Sequence, residues 1–428
     1  MRRRDFLRLS GLAMLPALAR TVLPGGLCVW ASPGRACEPD ASEERSAPIS
    51  GVTPRWDRIL LLVELAGGND GLNTIVPFRD DVYYRLRPQL AIKREACLPL
   101  DDDRGLHPAL GAFAESWQAH ELAIVRGVGY PNPNRSHFRS IEIWETGSDS
   151  DEVLQDGWIA EILARSSRPQ SLAAESIILG QNGDLGPVSG LNMRNLVLQD
   201  PATLIAQAKR LPVRGGDAAN PALAHLYRVR DELRAAALRI EEQLKGAPRL
   251  TAEFPRTGLG RQLQTAAQLV LAKVPVLVIK ATLSGFDTHT NQLGQHARLL
   301  GELGQALGAF RAALVAGEQW PRVLVMTYSE FGRRVAENGA RGTDHGTAAP
   351  HFLLGGAVKG GWYGNSPSLT NLVGGDLTHT VDYRRLYSSV AQEWWQLAAT
   401  DAPVAALRAH APLDCIANGA AAKRRESF

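Results

Sequence analysis

Four short stretches of this chain set acids and histidines in patterns that suit a divalent cation. Gly67-Gly68-Asn69-Asp70 follows an apolar run at 58–65, and Ser284-Gly285-Phe286-Asp287-Thr288-His289 follows another at 274–282. Ser329-Glu330-Phe331-Gly332-Arg333 follows the run 323–327, and Gly342-Thr343-Asp344-His345-Gly346 precedes the run 352–354. Asp287 and His289 are two apart, so an extended backbone points both side chains the same way. A carboxylate beside an imidazole suits zinc or a similar ion. Each stretch also has an ordinary structural explanation. Asp70 can close an Asx turn, and Glu330 can sit in the first turn of a helix, where the dipole favours an acid. What single sites leave open, their recurrence at the ends of apolar runs argues more strongly.

A nucleophile candidate lies in Asn132-Pro133-Asn134-Arg135-Ser136-His137-Phe138, just before an amphipathic segment at 137–146. Ser136 would stand at that helix's N-terminus, where free N–H groups favour an anion. A hydroxyl there, beside a divalent metal, can attack a phosphoryl or sulfuryl group. The alternative is a plain N-cap. His137, next to it, can contact a substrate anion when protonated. His351 starts an apolar run and reads as a core histidine, and His379 lies in a polar loop.

The elements that must hold these residues are legible as alternating patterns. Short runs apolar on both faces recur at 58–65, 122–128, 176–179, 274–282, 323–327 and 352–354, which fits strands of a parallel sheet covered on each side. Helical patterns fall at 106–119, 137–146, 221–245, 259–272, 292–316 and 382–398. This alternation predicts an α/β domain with helices on both faces of a mostly parallel sheet. Ligands in such sheets bind outside the carboxyl ends of the strands, which is where the acids and histidines fall. Residues 183–220 are loop-rich and read as an insertion or cap.

Met1-Arg2-Arg3-Arg4-Asp5-Phe6-Leu7 fits a twin-arginine export signal, with a weakly apolar stretch to Ala19 and possible cleavage after Ala19 or Ala36. The expected organisation is a leader at 1–36, a polar linker at 37–57, the α/β domain at 58–400 and a tail at 401–428. The 428 residues hold 47 basic and 44 acidic side chains, a net charge of +3. Losing residues 1–36 removes six arginines and Asp5, which leaves 41 basic against 43 acidic, or −2. This balance, without a basic block interleaved with aromatics, excludes a nucleic-acid partner. No uninterrupted apolar run approaches the roughly 18 residues of a membrane span, so no integral span is expected once the signal is removed. Of Cys28, Cys37, Cys97 and Cys415, none forms a C-x-x-C pair; a Cys97–Cys415 disulfide is one option for an exported chain.

The leader together with LLLVELAGGNDGLNTIVPF, YPNPNRSHFRSIEIWETG, SGFDTHTNQ, YSEFGRR and GTDHGTAAPHFLLGGAVKGG resembles the exported bacterial domain-of-unknown-function family fifteen-oh-one, within the alkaline phosphatase/sulfatase superfamily. The resemblance runs from about Arg58 to the helix near Leu397. It implies an alkaline-phosphatase-like three-layer sandwich. It also implies metal-ligand roles for Asp70, Asp287, His289 and His345, and a nucleophile at Ser136. The chain departs from the superfamily where Glu330-Phe331 replaces a usual Asp-His: Glu330 can serve as a ligand, Phe331 cannot, and Asp344 is the candidate to compensate. The C/S-x-P-x-R signature of formylglycine sulfatases is absent. The expected function is an exported hydrolase of phosphate or sulfate esters. It would hold zinc, or else manganese or calcium, and act on a small anionic ester after passage through the twin-arginine machinery. The alternative is a non-catalytic periplasmic binding or assembly protein on the same scaffold.

Overall fold

The computed structural model describes residues 53–180, 183–191, 193–211, 220–398, 407 and 409–417, with the backbone of Thr21–Leu23 and Leu27–Trp30. The twin-arginine stretch, both cleavage positions and Cys37 lie outside the described residues. The central sheet is built from β1 (Ile59–Ala66), β2 (Leu122–Gly129), β3 (Ser176–Leu179), β4 (Asn195–Leu198), β5 (Val278–Ser284), β6 (Val323–Tyr328), β7 (Ala349–Leu354) and β8 (Gly361–Tyr363). Their spatial order is β4-β3-β5-β1-β6-β7-β2-β8, and Leu27–Trp30 adds on to β4 antiparallel.

β1 is central because both its faces are apolar. Ile59, Leu61, Val63 and Leu65 enter one core and Leu60 and Leu62 the other, as the two-residue period of a strand requires. The first core is roofed by α1 (Gly111–Gln118), α4 (Pro201–Arg210), α5 (Pro221–Lys245), α6 (Gly258–Leu271) and α7 (Gln292–Ala316). The second is covered by α2 (His137–Thr146), α3 (Trp158–Arg165) and α8 (Arg384–Ser388). This is the expected mostly parallel sheet between two helical layers.

Three expectations are corrected. The segment 183–220 is not a cap: it supplies β4, paired parallel with β3, and α4, which Asp200 caps through the Thr203 N–H with Pro201 in the first turn. The run at 352–354 belongs to an antiparallel strand, since β7 pairs antiparallel with both β6 and β2. Its connection from β6 therefore never crosses the sheet, and residues 329–348 stay at the edge where β6 ends. Cys97 and Cys415 are both free and buried in separate apolar clusters, so the disulfide is excluded. Of the expected tail, Leu413, Cys415 and Ile416 are buried, and Ile416 bridges to Val358.

Among the described residues one helix, α7, is long and apolar enough to cross a membrane, but half of its most apolar window is buried inside the fold. Leu299, Leu303 and Phe310 on it belong to the first core, which explains its hydropathy without a bilayer.

Candidate metal centre

The carboxyl ends of β5, β1 and β6 lie side by side, because β5 and β6 both pair parallel with β1. β2 ends at the same edge and leads into the loop before α2, and β7 begins there. Five strand ends and four connections thus converge on one place. After β1 the chain turns on Gly67 and Gly68, at φ +118° and +81°, conformations that favour glycine. There is no room for a side chain at either position. A Cβ on Gly67 would lie 2.3 Å from the Asp287 nitrogen, and one on Gly68 would lie 2.4 Å from the Phe331 ring.

At this edge His137, Asp287 and His345 come together, with ligand atoms all within 4.8 Å of one another. Asp287 Oδ2 lies 3.5 Å from His137 Nε2, and Oδ1 lies 3.2 Å from His345 Nε2 and 3.0 Å from His289 Nε2. His289 Nε2 and His345 Nε2 are 2.9 Å apart. Each ring is anchored from behind. His137 Nδ1–H donates to Glu330 Oε1 at 2.8 Å, His345 Nδ1–H donates to the Arg135 carbonyl at 2.8 Å, and His289 Nδ1 stands 3.4 Å from Asp344 Oδ1. A carbonyl or carboxylate behind Nδ1 selects the tautomer with a bare Nε2. Lone pairs therefore face one another and a carboxylate across about a hydrogen-bond length.

The electrostatics differ between the rings. Burial pushes the His345 imidazole below its usual range, so it stays neutral. The Glu330 hydrogen bond raises His137, against a smaller effect of burial. Burial works against the Asp287 carboxylate, but the Arg333 guanidinium holds it down to about 2. Arg333 is fully buried. It donates to Asp287 Oδ1 at 2.7 Å, to the carbonyls of Gly68 at 2.7 Å and Thr343 at 2.9 Å, and to those of Gly67 and Phe286. It ties the ends of β1 and β5 to the 329–348 connection. Phe331 packs its ring against His137 and His345, with centroids 4.9 and 4.5 Å away, and so walls the cluster with a side chain that cannot ligate a metal.

The expected site residues divide into three groups. Asp287, His289 and His345 meet, and His137, expected beside a nucleophile, joins them. Glu330 and Asp344 stand behind the rings of His137 and His289. Asp70 does not reach the cluster. It is 1% exposed and caps the turn Gly71–Thr74 through the Leu72 N–H, while Oδ2 accepts from Arg87 Nη1 at 2.6 Å and from the Gln292 amide. Despite burial, Arg87 keeps its pKa low. Ser136 occupies the N-cap of α2 but makes no capping bond with its side chain, and it is exposed. Arg333, Arg135 and Gln292 were not singled out in the sequence. The only local signal was the arginine in Glu330-Phe331-Gly332-Arg333.

Residues 217–408 match the family described as Protein of unknown function (DUF1501). That span holds Asp287, His289, Glu330, Asp344 and His345, while His137 and Ser136 lie outside it. No curated protein matches the chain. Among solved structures, the chain is similar to the lipoteichoic acid synthase LtaP from Listeria monocytogenes, at 9% identity and a TM-score of 0.32, covering 72% of this chain and 68% of that one. It is also similar to the C-terminal periplasmic domain of EcEptC from Escherichia coli in complex with Zn, at 10% identity and a TM-score of 0.35, covering 72% and 74%. A protein in the alkaline phosphatase superfamily from Vibrio parahaemolyticus gives 10% identity and a TM-score of 0.34, covering 74% and 63%.

Proposed function

We propose that this chain is an exported, divalent-metal-dependent hydrolase of phosphate or sulfate esters. The observation that carries the reading is the convergence of imidazole Nε2 atoms on Asp287, each ring held by an acceptor behind its Nδ1. Asp287 stands 3.5 Å from His137 Nε2 and 3.2 Å from His345 Nε2, near the ligand-to-ligand separation of about 3.3 Å that bonds of about 2.0 Å give around a zinc ion. Two imidazoles and one carboxylate, with the His289 imidazole beside His345, suit zinc, and then manganese. Calcium, which takes six to eight oxygen ligands, does not fit this set.

His137, Asp287 and His345 would hold the ion, with His289 beside His345 and Asp287, and Glu330, Asp344 and the Arg135 carbonyl would orient the rings. A cation bound there supplies Lewis acidity toward the ester oxygens. Ser136, exposed one residue before His137, is assigned the attack on phosphorus or sulfur: its Oγ bond forms as the bond to the ester alcohol breaks, the hydroxyl proton leaves with that alcohol, and water then hydrolyses the seryl ester to free serine and phosphate or sulfate. The first N–H groups of α2 favour an anionic group at the same point. Arg333 keeps Asp287 ionised and aimed. The absent formylglycine signature argues against a sulfatase of that kind, and the leader argues for export in folded form.

The test is metal content by elemental mass spectrometry on protein purified without chelator, alongside hydrolysis of phosphate and sulfate esters. The expected result is one equivalent of zinc or manganese, lost in Asp287→Asn with His345→Ala. Ser136→Ala should retain the metal and lose turnover. Folded protein that takes up neither ion on soaking overturns the hydrolase and leaves a non-catalytic binding scaffold.

A further inference from the structure

Near the carboxyl end of β2 and the start of β7, Arg126, Ala349 and Pro350 line a cavity of about 90 Å³. It shares Arg333 with the metal cluster but none of His137, Asp287, His289 or His345. Drug-sized sites begin at roughly 300 Å³, so this one suits a molecule of few heavy atoms. Three arginines line it, Arg104, Arg126 and Arg333, against one acid, Asp80. Asp80 Oδ1 accepts from the Val82 N–H at 2.9 Å and so caps the helix Asp81–Leu86. Arg333 is paired with Asp287, and Arg104 Nη1, partly exposed, stands 3.8 Å from Asp101 Oδ2.

Arg126 has no acid partner among the described residues. Its Nη1 donates to Ser366 Oγ at 3.2 Å and its Nη2 to the Gly364 carbonyl, and each nitrogen keeps a second N–H. The guanidinium carbon lies 5.2 Å from the centroid of the Trp362 ring. Burial, and after it the like charge of Arg104, pulls the Arg126 pKa below its usual value, yet an arginine stays protonated. A positive charge thus faces this wall uncompensated, which disfavours an ammonium group and calls for an anion. The rest of the wall is largely carbon, from Ile75, Leu369 and Leu377, all buried, and from two prolines. Phosphate and sulfate present oxygen on every side, and such a wall would strip their water without replacing it. A carboxylate carries its oxygens at one end, where a guanidinium fork matches them, and carbon at the other.

We propose that this cavity binds a small aliphatic monocarboxylate, its oxygens accepting from Arg126 and its carbon chain lying against Ile75, Leu369 and Leu377, with Arg104 adding positive charge nearby. Neither the metal nor the proposed hydrolase enters this inference. The test is a ligand-observed saturation-transfer NMR titration of the full chain with butyrate and isobutyrate. Chelator is present throughout, so that no metal ion takes part. The neutral isosteres butyramide and isobutyramide are titrated alongside, and sulfate and phosphate serve as competitors. At least one carboxylate should bind saturably, and its amide about tenfold or more weakly, the difference expected for hydrogen bonds between charged groups. Arg126→Gln should weaken the carboxylate by a similar factor. Arg104→Glu, at a partly exposed position, sets an acid against Arg126 and should weaken it as well, which covers the case in which the Arg126 variant fails to fold.

Absence of saturable binding by both carboxylates overturns the inference, as does an amide that binds as tightly as its acid. Unchanged carboxylate affinity in either folded variant overturns it too. Displacement of the carboxylate by sulfate or phosphate below the carboxylate's own Kd would make this an inorganic-anion site and likewise refute the assignment. Carboxylate binding without ester hydrolysis would remove the hydrolase and keep this site, whereas hydrolysis without carboxylate binding would do the reverse.

Discussion

Replacing Glu330 by glutamine probes the metal centre with little change of shape. Glu330 Oε1 accepts from His137 Nδ1 and from the Gly67 N–H, both at 2.8 Å, and Oε2 accepts from Ser329 Oγ at 3.2 Å. A glutamine carbonyl can keep the first two bonds, and its amide can donate to the Ser329 hydroxyl. What disappears is the negative charge behind the imidazole, which makes His137 a better donor to a cation. Loss of such a supporting group typically costs about 10–100-fold in metal affinity, or about 1.4–2.7 kcal/mol. Competition for zinc against a chromogenic chelator measures this directly, and urea unfolding of the chelated protein checks that the fold is intact. Zinc affinity within about twofold of wild type would refute the assignment of His137 as a supported ligand. A large loss of stability in the metal-free variant would instead make Glu330 a structural anchor for Gly67.

Other perturbations separate the centre from its frame. Arg87→Leu leaves Asp70 charged and buried without its partner at 2.6 Å, and should destabilise the fold by about 3–5 kcal/mol by denaturant titration; zinc content per folded molecule should not change, because Asp70 is not a ligand. Gly68→Ala forces a Cβ into the Phe331 ring at φ +81°, costing about 1–3 kcal/mol for the backbone alone and disturbing zinc binding through Phe331. Burial lowers His107 and His296 to about 4 and His351 to about 3. These groups are neutral in the folded chain and gain protons more readily when unfolded. Their stabilisation is therefore complete above about pH 6.5 and is lost as pH falls toward 4 and 3. Urea midpoints that stay level between pH 7 and 4.5 would contradict it.

Some of this was legible in local sequence. Ile59–Leu65 reads as a strand buried on both faces because every side chain along it except Glu64 is apolar, and the structure fills one core with the odd-numbered residues and the other with Leu60 and Leu62. The pairing of Asp287 with His289 follows from their spacing. The concentration of acids and histidines at strand ends follows from the rule that the carboxyl edge of such a sheet is open. The antiparallel direction of β7 was not legible, because an apolar run does not record which way the chain enters it. Nor was β4, three apolar residues behind Asn195 inside a loop-rich stretch.

The division of labour among the acids and histidines was decided only in three dimensions. Asp70 and Asp287 both follow an apolar strand and look equivalent in one dimension. Arg87 and Gln292 reach Asp70 from 17 and 222 residues away and bury it, whereas Asp287 is left 47% exposed beside the histidines. Glu330 became a support because His137, 193 residues earlier, lies on its ring-facing side. A side chain's type and spacing set what chemistry it can do. Whether its charge is spent on a buried partner or left facing other donors depends on contacts between distant segments, and those exist only once the sheet has brought its strand ends to one edge.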